Sequence, residues 1–457
     1  MRMLFGTDGI RGMAGDPPLD AATVYAVGAA LGRQLKAQHG DAQVVIGQDT
    51  RESSAWIAES LTRGLESAGV ASQSAGVITT PAVAFLARGG FAAGVVISAS
   101  HNPWTDNGIK IFAHDGYKLS DEVEESLEGE IFALLHGNRV PAAASRQSDT
   151  PGPMGTEPRL LQEYVAWLAK NVEGTSLRRL RVLVDCANGA ATPVAHEVFR
   201  ACGIHAEFTC DRPTGRNINE SCGALHPRIV AGMVAERPGS FDLGITFDGD
   251  ADRALFSDRE GRVVNGDAIL LLAARDMKAR GRLKGDTVVA TTMSNMGLEV
   301  ALEGSGMRML RAPVGDKYVL EEMKKTGATL GGEQSGHIIF RDGDSTTGDG
   351  LLTALRVMEA MARSGKPLHE LVGDLKVYPQ TIKNVRVKEK TPFADLPEVA
   401  GAIDAAQKEL HGSGRVVVRY SGTEGLARVM VEAESEDTMK RIAEGIAGAI
   451  ERALGIS

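Results

Sequence analysis

Short apolar runs, each followed by a polar or glycine-bearing loop, alternate with helical stripes along much of this chain. Val44-Val45-Ile46 and Gly94-Val95-Val96-Ile97 are too short for helices and have no polar face, so they read as buried strands. The residues before and between them carry a different period. Val24, Val27, Leu31 and Leu35 recur at helical spacing, with Asp20 placed to cap the helix and Gly40 to end it. Ile57, Leu61 and Leu65 give a second stripe over Ser54–Ala68. Strands and helices alternating at these intervals demand βαβ units and a largely parallel or mixed sheet.

The same grammar returns twice. A stretch rich in proline, glycine and small polar residues, Asn138–Pro158, reads as a linker. Beyond it come a helix around Leu160–Val172 and the strands Val182-Leu183-Val184 and Leu243–Phe247. A third segment offers Thr287–Thr291 as a strand and Lys317–Lys325 and Leu352–Arg363 as helices. The C-terminal part differs: strands Arg415–Tyr420 and Arg428–Glu432 flank a tight loop, and a helix capped by Asp437 carries Met439, Ile442, Ile446, Ile450 and Leu454 on one face. The expected architecture is α/β: three similar α/β domains with mixed sheets (1–150, 151–255 and 256–373) and a smaller C-terminal α+β domain (374–457).

Composition removes several function classes. No apolar stretch approaches the ~18–20 residues of a membrane span, and the N-terminus lacks the apolar core of a secretory signal. A cytoplasmic protein is expected. The net charge of −9 speaks against nucleic acid and anionic membranes as partners. Cys186, Cys202, Cys210 and Cys222 form no CxxC pair, so reduced, mostly buried thiols are expected rather than a zinc site.

Four loops carry chemistry. In Ile97-Ser98-Ala99-Ser100-His101-Asn102-Pro103 a buried strand delivers two serines and a histidine into a turn stopped by proline. This suits a nucleophile, and equally a Ser/Asn turn. Asp248-Gly249-Asp250-Ala251-Asp252-Arg253 places three carboxylates at alternate positions after an apolar strand. Such a set can converge on a hard cation, magnesium fitting best because it takes few carboxylates and leaves room for a phosphate oxygen. Arg253 adds a planar donor for phosphate. Gly331-Gly332-Glu333-Gln334-Ser335-Gly336-His337 can offer Glu333 and Ser335 to sugar hydroxyls. Arg419-Tyr420-Ser421-Gly422-Thr423-Glu424-Gly425, with Arg428 beyond, has the hydroxyls, backbone N–H groups and arginines of a phosphate cradle. Arg11 and Lys110 could add the positive charge that a transferring phosphoryl group requires.

Taken in order, these loops resemble the α-D-phosphohexomutase superfamily over essentially the whole chain. Gly6–Gly12 is similar to its N-terminal signature, Ser98–Pro103 to its phosphoserine loop, Asp248–Arg253 to its metal loop, Gly332–His337 to its sugar loop and Arg419–Arg428 to its phosphate loop. Gln334, and Thr346-Thr347-Gly348-Asp349-Gly350, resemble the superfamily's bacterial phosphoglucosamine mutases. Three positions depart from the pattern: Gly425 stands in place of a usual proline, Tyr420 in place of another, and Gln48, in Gly47-Gln48-Asp49-Thr50-Arg51, where a basic residue is frequent.

The resemblance implies four domains around a central active-site cleft. It implies interconversion of glucosamine 6-phosphate and glucosamine 1-phosphate for cell-wall amino-sugar precursors. It also implies phosphorylation on Ser100, a Mg²⁺ shared by that phosphoserine with Asp248, Asp250 and Asp252, and a sugar 1,6-bisphosphate intermediate that also serves as activator. Arg253, Glu333, Ser335, Arg419, Ser421, Gly422, Thr423 and Arg428 would bind substrate. His337 would be the base, with His101, Arg11 and Lys110 at the transferring group. A homodimer is suggested as well. The rival activities are a phosphomannomutase or phosphoglucomutase on the same machinery, a magnesium-dependent sugar phosphatase with an aspartate nucleophile, and a sugar-phosphate sensor without turnover.

Overall fold

The structure, a computed structural model, describes residues 4–6, 8–137, 140–142, 155–343, 345–421 and 425–455. Thr7, most of the expected linker, Gly422 and Thr423 lie outside the described residues. The chain packs as two units, residues 1–292 with 309–372, and residues 293–308 with 373–457.

The first unit holds three mixed sheets. The six-stranded sheet runs, edge to edge, Phe5–Gly6, Gly9–Met13, Asp106–Ala113, Ala93–Ile97, Gln43–Gln48 and Ala71–Val77. Gln43–Gln48 pairs in parallel with both Ala71–Val77 and Ala93–Ile97, while Asp106–Ala113 returns antiparallel beside Ala93–Ile97. Helices Ala21–His39, Ser54–Ser67 and Asp121–His136 cover one face. Asp20 caps the first of them, accepting from the N–H groups of Ala22 and Thr23. Its stripe Val24, Val27 and Leu31 is buried against Ile57, Leu61 and Leu65, each such side chain contributing ~1.5–3 kcal/mol.

The second sheet is five-stranded and the third four-stranded. Each repeats one device of the first. A buried strand leads into a chemistry-bearing loop, and the chain returns antiparallel beside it. Ala93–Ile97 and Asp106–Ala113 flank the serine loop, Leu243–Phe247 and Ala254–Asp258 the aspartate loop, and Leu330–Gly332 and Ile338–Phe340 the glutamate loop. The repeated unit expected from the sequence is therefore a sheet with a functional hairpin.

The second unit contains a three-stranded antiparallel sheet, with Leu426–Ala433 between Gln380–Arg386 and Gly414–Tyr420. Helices Pro397–Glu409 and Glu436–Leu454 pack on it around Val429, Val431, Ile442 and Ile446. Here the expected cap needs correction. Ser435, not Asp437, is the N-cap and accepts from Thr438 N–H, while Glu436 and Asp437 lie in the first turn, where negative charge suits the helix dipole. Met296–Gly304 belongs to this unit too, and the Asn295 side-chain amide donates to Tyr378 O (2.9 Å) and to the buried Glu432 (3.2 Å).

Candidate active site

The serine loop is pinned from several sides. Ser100 has φ 54°, a left-handed conformation that costs a non-glycine residue ~1–3 kcal/mol unless its surroundings enforce it. Here they do. Ser98 Oγ accepts from Ser100 N–H at 3.0 Å and donates to Asp49 Oδ2 at 2.5 Å. Arg51, ion-paired with Asp49 and buried, reaches Ser100 O (3.1 Å) and Asn102 O (2.6 Å) with one nitrogen. Asn219 Nδ2 donates to the same two carbonyls, at 2.9 and 3.2 Å. A methyl group on Gly249 would stand 2.4 Å from Ser100 O, so only glycine lets the aspartate loop come this close.

The result is a direct contact between the two loops. Ser100 Oγ donates to Asp248 Oδ2 at 2.6 Å. Asp248, Asp250 and Asp252 are buried, with ligand oxygens all within 4.8 Å of one another. Burial, and then the charges of Asp252 and Asp250, lift the Asp248 carboxyl well above its ordinary range. Asp250 moves the other way. Burial opposes its ionisation, yet the Lys110 ammonium at 2.8 Å and the Thr80 hydroxyl at 2.6 Å hold it below the ordinary range. Asp250 Oδ1 and Asp252 Oδ1 are buried without a hydrogen-bond partner. Clustered carboxylates with unsatisfied inward oxygens are what a hard divalent cation satisfies, so the residues fit Mg²⁺.

The positive charges are embedded equally firmly. Lys110 is 1% exposed and faces Asp250, Asp8 (3.1 Å) and Asp252 (3.7 Å). Burial would lower its pKa, but the three carboxylates outweigh burial and raise it. Arg11 pairs with Asp8 and approaches Ala99 O at 3.4 Å. Lys118 bridges Asp8 and Asp316, both at 2.6 Å. His101 Nδ1 lies 3.4 Å from Ser100 Oγ and 3.4 Å from Arg253. Burial, then Arg253 and Arg11, lower its pKa, which favours the neutral imidazole.

A cavity of about 470 Å³ opens over these groups, lined by Arg11, His101, Lys118, Arg253, Glu333 and His337 among others. Glu333 accepts from Gly315 N–H (3.0 Å) and from Ser335 Oγ (3.3 Å). His337 is 2% exposed, with neither ring nitrogen hydrogen-bonded, and Nε2 stands 4.0 Å from Asp252 and 3.9 Å from Asp316. Gly336, with φ 95°, lets this loop abut the aspartate loop, where Ala254 N–H donates to Gly336 O at 3.1 Å.

In the second unit, Arg419 and Arg428 face each other across the hairpin register. Ser421 is buried, and its carbonyl accepts from Lys390 at 2.7 Å. Tyr420 is anchored by stacking on Phe393, with ring centroids 4.3 Å apart, and by donating to Thr391 O at 2.5 Å. Gly425 O accepts from Val387 N–H at 2.9 Å. These two departures from the family pattern thus sit beside firm anchors.

Asp49, Arg51, Thr80, Asn219, Lys118 and Asp316 were not singled out by sequence reasoning. Asp49 and Arg51 had a usable signal, since they follow a buried strand end as the other functional loops do. Lys118 and Asp316, far apart in sequence and outside any motif, had none.

Comparison with known proteins agrees with this architecture. Family models described as phosphoglucomutase/phosphomannomutase α/β/α domains I, II and III match residues 2–136, 162–261 and 265–378, and the C-terminal domain model of the same family matches 382–449. The chain belongs to the phosphoglucomutase/phosphomannomutase family, phosphohexomutase enzymes with three α/β domains and a smaller C-terminal one. Among its relatives, a phosphoglucosamine mutase from Koribacter versatilis is 64% identical, covering 100% of this chain and 98% of the relative. One from Solibacter usitatus is 50% identical over 99% of each. A solved family member from Burkholderia thailandensis superposes with TM-score 0.77 at 25% identity, covering both chains in full (100%).

Proposed function

We propose that the chain interconverts glucosamine 6-phosphate and glucosamine 1-phosphate by moving a phosphoryl group through Ser100. The observation that carries this reading is the Ser100 hydroxyl held 2.6 Å from Asp248 inside a buried three-carboxylate cluster. The choice of sugar is supported by the relative at 64% identity, named a phosphoglucosamine mutase.

In this reading Ser100 carries the phosphoryl group in the active state. Asp248, Asp250 and Asp252 would hold Mg²⁺, which would neutralise charge on the transferring group. The phosphoryl leaves the Ser100 oxygen for the free hydroxyl of the sugar phosphate. A P–O bond to serine breaks and one to the sugar forms, giving the 1,6-bisphosphate. His337, with both ring nitrogens free of hydrogen bonds, takes the hydroxyl proton. Lys110, Arg11 and His101 face the transferring group, while Glu333, Ser335 and Arg253 grip the sugar and its near phosphate. On the resemblance of segment 419–428, Arg419, Ser421 and Arg428, with Gly422 and Thr423, would take the distal phosphate. The bisphosphate then turns and returns its other phosphoryl to Ser100, so added bisphosphate should activate a dephosphorylated enzyme. The same reading divides the chain after residues 150, 255 and 373, and places it in the cytoplasm as a homodimer.

Separate assays of glucosamine, glucose and mannose 6-phosphates, with peptide mapping of the phosphate, test the proposal. Preferred turnover of the glucosamine ester and a label on Ser100 are expected. A label on Asp248, Asp250 or Asp252, with release of inorganic phosphate, would instead establish a phosphatase.

A further inference from the structure

Outside the cleft, two thiols meet. Cys210 follows the strand His205–Thr209 and is half-buried, with φ 47°; Cys222 is fully buried, just before the short turn Gly223–Leu225. Their sulfurs and an Asp185 oxygen lie within 4.8 Å of one another. Asp185 is already committed to the backbone, accepting from Ala187 N–H (2.7 Å) and Gly223 N–H (2.9 Å). The cluster therefore offers two thiols and a carboxylate occupied with backbone, which is a poor metal shell and a good dithiol.

The two sulfurs are unequal. Hydrogen bonding by Cys222 lowers the Cys210 thiol against burial and the negative charges of Asp185 and Asp211, while the same interaction, and then burial, raise Cys222. The half-buried Cys210 sulfur is the one that a peroxide reaches first, and the buried Cys222 is the resolving partner. The pair reaches the serine loop through the turn that carries Cys222. Asn188 Nδ2 points at Cys222 Sγ (3.8 Å), and Asn188 N–H donates to Cys210 O (2.6 Å). Asn219, three residues before Cys222, carries the amide that holds Ser100 O and Asn102 O.

We propose that Cys210 and Cys222 are a peroxide-sensitive dithiol whose disulfide slows phosphoryl transfer by displacing Asn219. The Cys210 thiolate attacks a peroxide oxygen, giving a sulfenic acid and, from hydrogen peroxide, one water. The Cys222 sulfur then attacks the Cys210 sulfur and expels a second water. Two thiols are oxidised by two electrons and one peroxide is reduced to two waters. Closing the bond brings the sulfurs to ~2.05 Å, a movement shared by Cys210 at its strand end and by the 219–222 turn that carries Asn219.

The full-length protein, purified reduced, is titrated with hydrogen peroxide. Intact mass should fall by about 2 Da per chain, with a crosslinked peptide joining Cys210 to Cys222. Turnover of glucosamine 6-phosphate should drop about tenfold in step with the crosslink and return with dithiothreitol. Cys210→Ser should show neither change, Cys222→Ser likewise if it folds, and Cys202→Ser should behave as the parent. Oxygen addition without a crosslink, a crosslink through Cys186 or Cys202, or a crosslink that leaves turnover unchanged would each overturn the proposal. The turnover arm rests on the mutase reading above. The mass arm does not, so failure of that reading is recognised by absent activity in the reduced protein.

Discussion

Replacing Asn219 with glycine isolates how much of the activity depends on holding Ser100 in its left-handed conformation. Asn219 itself has φ 60°, which glycine accepts without penalty, so Asn219→Gly removes the side chain while sparing the backbone. Two hydrogen bonds are lost, to Ser100 O at 2.9 Å and to Asn102 O at 3.2 Å. At ~1 kcal/mol net for each, ~2 kcal/mol of positioning disappears, equivalent to about 30-fold in rate. The loop is not released outright, because Arg51 still holds both carbonyls. Steady-state assays with saturating sugar 1,6-bisphosphate should therefore give a kcat lowered about 10- to 30-fold, with KM nearly unchanged and only a small fall in Tm. A kcat within about twofold of the parent, or a loss confined to KM, would refute the idea that the strained serine must be held from this side.

Ser100→Ala should abolish turnover and phosphate incorporation, read by intact mass. Ser98→Ala should also slow the reaction, about tenfold, because Ser98 links Asp49 to the Ser100 N–H; single-turnover kinetics separates the two effects. Asp250→Asn, or chelation by EDTA, should cut kcat by orders of magnitude with a smaller effect on substrate KM, and activity unchanged in EDTA would remove the metal from the scheme. Asp349, buried and bonded to Tyr164 at 2.7 Å, is pushed up to about 6 by burial from an ordinary 3.8. Its folded pKa exceeds its unfolded one, so its stabilising contribution is fully present below about 4 and is lost as pH rises through about 6, by ~3 kcal/mol. Asp349→Asn should lack that decline in denaturant titrations between pH 4 and 7, and equal pH slopes for both proteins would refute it.

The hairpins were legible because a buried strand ending in polar residues is a local pattern. Val95-Val96-Ile97 before Ser98 and the apolar strand before Asp248 announce themselves. What surrounds them was not legible, because it depends on which strands lie side by side. Asp49 stabilises Ser98 only because Gln43–Gln48 is the parallel neighbour of Ala93–Ile97, and adjacency across a sheet leaves no mark in the sequence between. Lys110 showed as a basic residue near the first loop, but its burial among three carboxylates needed the sheets placed together. Asn219 lies in a turn with no apolar period, and only its side-chain geometry reveals its task. The C-terminal helix shows a smaller miss: Ser435 and Asp437 are both good caps, and the choice between them lies in one hydroxyl geometry.

The aspartate loop also sets an order of events during synthesis. Its backbone is latched by four distant segments: Thr80 N–H on Asp250 O, Ala190 N–H on Gly249 O, Ala254 N–H on Gly336 O and Gly350 N–H on Ala251 O. None of the partners is a neighbour in the chain, and the last appears only when residue 350 has been made. A ribosome that has released the three aspartates has not yet released the means of shaping them, so for about a hundred residues, some 5–20 seconds at ordinary elongation rates, the nascent chain carries ligands without a site. On the proposed Mg²⁺ role, cation capture would be a late event, and a fragment ending before residue 350 should bind Mg²⁺ no better than an unfolded acidic peptide.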